Sequence, residues 1–178
     1  MVRDVLIYPD PLLKQPAARV DGIDDRIRAV AEDLLDTMAA HNRCVGIAAP
    51  QIGVLVRMIV VDVSGHPKAE QHHGRLLLIN PRITEFDGQA IGREGCLSLP
   101  EITANVKRAE RITVEAVCLE DRPLTFSATG FEARALLHEI DHLDGILILD
   151  RAAAPSEIFP RVKTAKRSKN LEVGRNAK

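Results

Sequence analysis

Apolar positions along this chain change period several times, and each change predicts an element. From Asp24 to about His41 they fall at Ile27, Val30, Ala31, Leu34, Leu35 and Met38, the three-four spacing of a helix with one buried face. β-branched runs at about Val54 to Val63 and Arg75 to Thr84 predict strands, separated by the connection around SGHPKAEQHHG, whose Gly, Pro and His content suits a loop. Arg111 to Cys118 alternates strictly, with Ile112, Val114, Ala116 and Cys118 on one side and Arg111, Thr113 and Glu115 on the other. Such a strand has one core face and one wet face. A second helix is predicted over FEARALLHEIDHLD, opened by the capping-box pattern Thr129-Gly130-Phe131-Glu132 and stopped at Gly145. The prolines of YPDPLLKQP suit an extended arm lying on the domain rather than a helix.

Composition narrows the class. A length of 178 residues with 46% hydrophobic content fits one domain with one real core. With Lys+Arg 24 against Asp+Glu 25, no global charge excess points to DNA or an anionic membrane. No stretch approaches the ~20 apolar residues that span a bilayer, and the first residues lack the apolar core of a secretory signal. Those features place the protein in the cytoplasm as a monomer without membrane or specific DNA partners. Cys44, Cys96 and Cys118 are an odd number without framework spacing, so they read as reduced thiols with separate roles.

The chemistry concentrates in HEIDH. His138 and His142 stand at i and i+4, so their imidazoles project from one face and can grip one ion. Glu139 lies about 100° around the helix from His138, placed to serve as general base and acid without being a ligand. Phe131 and Ala135 continue the same stripe, so that face points inward, where two unpaired imidazoles are costly and a metal satisfies both. The bland alternative is a chance pair on a wet helix. A third ligand is needed if a fourth position is to stay open for water, and Cys96 in REGCLSLP is the best candidate, although a lone cysteine is usually a small core residue. Gly95 permits a tight turn there, and Leu97 then brings a main-chain N–H beside the metal.

Three segments together, CVGIAAPQIG at 44–53, EGCLS at 94–98 and HEIDH at 138–142, resemble the peptide deformylases in pattern, order and separation. The resemblance continues through the YPDP arm, the first helix and VKRAERITVEA, and fades after about Asp150. It implies an α+β single domain, with mixed or antiparallel β-sheets packed around a central helix carrying HEIDH. It makes residues 1–150 the catalytic domain and leaves residues 151–178 as a basic tail, disordered or partly helical. Carried over by position, Cys96, His138 and His142 are the metal ligands, Glu139 carries the proton, and the Gln51 amide and Leu97 N–H donate to the formyl oxygen. Gly46 and Ile47 bind the nascent peptide along its backbone. The implied reaction removes the N-formyl group from N-terminal methionine, giving formate and a free amine. The resemblance favours Fe2+ as the resident metal; two imidazoles and a thiolate also suit Zn2+, Ni2+ or Co2+.

Departures from the family pattern are Cys44 where glycine usually stands, Leu137 before HEIDH where glutamine is common, and Thr103 where some relatives carry arginine. Asp141 pairs with Arg108 in one reading and is a solvated helix carboxylate in the other. His72 and His73 read as loop residues without further ligands, and Cys118 as part of an apolar strand face. The segment from Arg161 to Lys178, with seven basic residues and one acidic, reads first as a solvated tail and second as a contact for ribosomal RNA. Two rivals compete with the deformylase reading: a zinc peptidase, which normally takes its third ligand from a histidine or carboxylate, and a closed structural metal site, which needs neither Gln51 nor Glu139.

Overall fold

A helix buried on nearly every side organises this protein. The computed structural model describes residues 1–152 and 154–161. Strands β1 (Gly46–Ala48), β2 (Met58–Asp62), β3 (Arg75–Asp87), β6 (Arg111–Val117) and β7 (Pro123–Thr129) form a five-stranded sheet in the order β1-β2-β3-β6-β7. Strands β4 (Ala90–Cys96), β5 (Leu99–Arg108) and β8 (Ile158–Pro160) form a second sheet in that order. All strand pairs in both sheets are antiparallel. Helix α2 (Gly130–Leu143) buries Ala133, Ala135, Leu136, Ile140 and Leu143 in the core beneath the larger sheet. The α+β architecture implied by the resemblance is the one observed.

Helix α1 (Asp25–Ala40) is capped by Asp24, whose side chain accepts from the Ile27 N–H at 2.9 Å. Ile27, Val30, Ala31 and Leu34 face the core as their spacing predicts, whereas Leu35 and Met38 are only partly buried. Thr37 is buried in their place because its hydroxyl is satisfied twice, donating to the Asp33 carbonyl at 2.6 Å and accepting from the Arg3 N–H at 2.9 Å.

Several boundaries differ from expectation for local reasons. The run from Val54 becomes strand only at Met58, because the first residues pair with the arm instead: Ala18 donates to the Leu55 carbonyl and accepts from the Arg57 N–H. The capping box at Thr129 is not made. No side chain caps that helix start, and Glu132 instead accepts from the His73 main-chain N–H at 2.7 Å and pairs with its ring at 2.8 Å. Cys118 lies one residue past β6 rather than within it. The proline arm is extended except for a 3-10 turn at Pro11–Lys14, held by Asp10 accepting from the Leu12 N–H.

Asp150 lies inside the short helix α3 (Ile148–Arg151), and β8 pairs with Ile102, Thr103 and Ala104 of β5. The chain therefore adds regular structure to the second sheet beyond the expected boundary; the rest of the basic tail, 162–178, lies outside the described residues. At the end of α2, Gly145 has φ +69, and a methyl group on its Cα would stand 2.6 Å from the Lys14 carbonyl oxygen. Only glycine permits both that backbone conformation and the close passage of the arm.

Candidate active site

A strand of the smaller sheet and the central helix bring the cluster together. On β4, Glu94 and Cys96 are two residues apart and both buried, because alternate strand residues share a face. The hairpin then turns over Leu97 and Ser98 into β5. On α2, His138 and His142 present their rings to that face, with centroids 5.1 Å apart. One ligand atom from each of Cys96, His138 and His142 lies within 4.8 Å of the others, and Cys96 Sγ is 3.3 Å from His142 Nε2. The three expected ligands are therefore together, and no other such group occurs among the described residues.

One of the two rings is fixed from behind. His138 Nδ1 meets Glu94 Oε2 at 2.9 Å, so its Nε2 is left for the cluster. Arg108 grips both Glu94 oxygens at 2.9 Å each and also bonds Asp141, which Arg151 holds from the other side through contacts of 2.7 and 3.0 Å. Arg134 adds a 2.8 Å bond to Glu94 Oε1. The Asp141–Arg108 pair anticipated from sequence is present, but the carboxylate that orients a histidine directly is Glu94. Sequence reasoning missed Glu94, because the strand that aligns it with Cys96 carries no β-branched run to announce it.

Electrostatics follow from this packing. Burial opposes ionisation of Glu94, yet Arg108 and His138 outweigh it and hold the carboxyl well below the usual range. Burial likewise opposes a Cys96 thiolate, and the adjacent imidazoles overcome it, holding the thiol far below its ordinary value. Glu139 is moved the other way, up to about 7, chiefly by burial. Its Oε2 and His142 Nδ1 are buried without a hydrogen-bond partner among the described residues. A thiol poised as thiolate, two convergent imidazoles and an unpartnered carboxylate beside them fit a divalent cation with an open coordination position.

Gln51 sits in the 3-10 turn Ala49–Ile52 that follows β1. Its Oε1 accepts from the Ala48 N–H at 2.9 Å, which aims Nε2 at the cluster, 3.5 Å from Cys96 Sγ and 3.2 Å from Ser98 Oγ. The arm locks both neighbours in place: the Leu6 N–H donates to the Gln51 carbonyl and the Tyr8 N–H to the Ser98 carbonyl. Cluster, Gln51 and Glu139 open into a cavity of about 740 Å³ that Leu97, Gly46 and Phe131 also line. Gly46 is at its wall, whereas Ile47 is fully buried in the core and does not line the cavity.

The departures have defined places. The Cys44 thiol donates to the Gly46 carbonyl at 3.0 Å, and burial pushes it up to about 12. Thr103 Oγ1 accepts from Arg93 Nη1, and Leu137 packs on the main core. His73 is tied to Glu132 and takes no part in the metal cluster.

A model of the polypeptide deformylase family matches residues 2–157. The chain belongs to the peptide deformylase family. It is 45% identical over 152 residues to a peptide deformylase of Dictyoglomus thermophilum, covering 85% of this chain and 94% of the relative. The crystal structure of the Thermotoga maritima peptide deformylase superposes with a TM-score of 0.79 at 34% identity, over 86% of this chain and 99% of that one. The Acinetobacter baumannii class I type b peptide deformylase, solved with Met-Ala-Ser bound, superposes with a TM-score of 0.78 at 34% identity, over 85% and 98% of the two chains. Peptide deformylases are metal-dependent hydrolases, and the Cys96, His138 and His142 cluster is where this member can bind a metal.

Proposed function

We propose that this protein hydrolyses the N-formyl group from the N-terminal methionine of nascent proteins in the cytoplasm, releasing formate and a free methionine amine. The observation that carries the reading is the convergence of Cys96, His138 and His142 beside a buried, unpartnered Glu139 in a chain of this family. Cys96, His138 and His142 hold the metal, ferrous iron in the cell, with zinc, nickel or cobalt accommodated by the same donors. Bound there, a divalent cation supplies a Lewis acid that polarises the formyl group and acidifies water.

The chain's own residues do the rest. Glu139 accepts the proton of the attacking water and returns it to the leaving methionine nitrogen. Gln51 Nε2 and the Leu97 N–H donate to the formyl oxygen as negative charge develops on it, and because Ala48 already holds Gln51 Oε1, the amide reaches that charge without reorganising. The peptide runs along β1, the edge strand of its sheet, near Gly46 and Ile47, a strand-addition mode, with the methionine side chain against Val45, Phe131 and Ala135. A relative that binds Met-Ala-Ser, a peptide of the kind this reaction releases, supports this class of ligand. The catalytic unit is residues 1–150, acting as a monomer, and the basic tail gives it a means of meeting ribosomal RNA.

Formate release from formyl-Met-Ala-Ser by anaerobically iron- or nickel-loaded protein tests the proposal, beside Glu139→Ala. Loss of activity in the variant with metal retained supports it; no formate from the fully metallated parent overturns it. A zinc peptidase fits less well, because the third donor beside the histidines is Cys96. A closed structural site is disfavoured by the cavity onto which the cluster opens.

A further inference from the structure

The cavity changes sign from floor to mouth. Among the described residues its only lining carboxylates are Glu94 and Glu139, both buried, and Glu94 is already taken by Arg108, Arg134 and His138. Around the mouth stand Arg43, Lys68, Arg93 and Arg161, all exposed. Arg93 is held in position by neutral partners, Asn105 at 2.9 Å and Thr103 at 3.1 Å, and its guanidinium lies 3.6 Å from the Phe159 ring centroid. Nothing in that arrangement neutralises it.

Arg161 follows β8 directly, and its main-chain N–H donates to the Glu101 carbonyl at 2.7 Å. Its side chain lies over Gly95, the residue before the Cys96 ligand: a methyl group on that glycine would stand 1.9 Å from Arg161 Nη2. Among the described residues no ion pair engages the side chains of Arg43, Lys68, Arg93 or Arg161. The sequence after Arg161 carries six Lys or Arg against one Glu, so it adds charge of the same sign.

We propose that this cationic mouth selects formylated chains with acidic side chains immediately after the methionine, with Arg161 and Lys68 as specificity-determining residues. This rests on the deformylase reading. A peptide whose formyl group reaches Cys96 and Glu139 leaves the cavity between Gly46 and Gly95, and extended chain advances about 3.3 Å per residue. The second and third side chains therefore pass the guanidinium and ammonium groups. The cations line the slot that leads to the cluster, so the ligand they meet first is whatever enters that slot. Exposed charges of this kind act mainly on encounter and affinity, and weaken with salt.

The test compares nickel-loaded protein on formyl-Met-Asp-Glu-amide, formyl-Met-Ala-Ser-amide and formyl-Met-Lys-Lys-amide, amidated so that no terminal carboxylate contributes. At low ionic strength kcat/KM for the acidic peptide is expected to exceed that for the basic one about tenfold, carried in KM, as a few exposed ion pairs provide. The ratio shrinks at high salt, and Arg161→Glu and Lys68→Glu each reduce or invert it. Equal kcat/KM for the acidic and basic peptides at low salt overturns the proposal, as does a ratio untouched by both substitutions. Release of formate from none of the peptides counts against the deformylase reading instead. The charge preference is then read from the affinities of fluorescein-labelled versions of the three, and equal affinities overturn it independently.

Discussion

Gly46 of β1 has no room for a side chain because the carboxylate of Glu139 on α2 fills the space: a methyl group on its Cα would stand 2.6 Å from Oε1 and 2.9 Å from Cδ. The glycine thus makes room for the carboxylate proposed to carry the proton. Glu139 is buried, so it cannot swing into solvent to make way. Gly46→Ala is expected to displace the carboxylate and lower kcat about 10- to 100-fold, since a shift of about 1 Å near reacting groups has that effect. Metal content, measured by elemental analysis, should stay near one per chain. An alanine variant with full kcat would show that the Glu139 position is not critical.

The pH profile reports the same carboxylate. Burial pushes Glu139 up to about 7, against the pull of His138 and His142. A proton acceptor works only when ionised, so activity falls as pH drops through its pKa. A bound cation favours the carboxylate, which places the acid limb of kcat/KM for the loaded protein below 7. Glu139→Gln is expected to lose about 10²- to 10⁴-fold in kcat. A limb at or above pH 7 in the loaded parent would contradict this assignment.

Glu94 is predicted to hold both stability and metal. Its replacement by Gln leaves Arg108 buried with one carboxylate fewer, at a cost of about 3–5 kcal/mol, the range for breaking a buried pair. Because the folded-state pKa is depressed, this stabilisation is present above the ordinary value of 4.5 and is lost as pH falls through the lower folded value. Urea unfolding of parent and Glu94→Gln should therefore differ at pH 7 and converge in strong acid. Metal affinity should fall about 10- to 100-fold with the loss of the His138 orienter.

Alkylation separates the two site cysteines. The imidazoles favour a Cys96 thiolate despite burial, while burial, with Glu139 and Cys96 close by, keeps Cys44 protonated. In metal-free protein at pH 7, iodoacetamide is expected to label Cys96 faster than Cys44, because the thiolate is the reacting form. Metal loading should protect Cys96. Peptide mapping by mass spectrometry reads both sites, and faster labelling of Cys44 would refute the order.

Much of the catalytic apparatus was legible because its signals are local. HEIDH places two rings on one helical face by the 3.6-residue period alone, and Asp24 starts α1 through a cap only three residues long, to the Ile27 N–H. The need for a third ligand then pointed to Cys96, and motif resemblance brought in Gln51; both lie on other elements. The alternation of Arg111 to Val117 also survives unchanged, since one face of that strand meets the core and the other meets water.

The long-range pairings emerge only in the folded chain. Strand β4, AIGREGC, shows no β-branched run and draws its stability from pairing with β5, so periodicity could not reveal it. Glu132 carries the pattern of a helix cap yet binds His73, a residue 59 positions away, because a buried carboxylate takes the donor that folding brings to it. Glu94 became the histidine orienter, Gly46 the space for Glu139, and Arg161 a wall of the mouth through packing between separate elements. Residue type and helical spacing are local properties, so the chain alone pointed to the groups that the proposed chemistry requires. Their alignment, support and access were decided by contacts between distant segments, whose geometry no local pattern encodes.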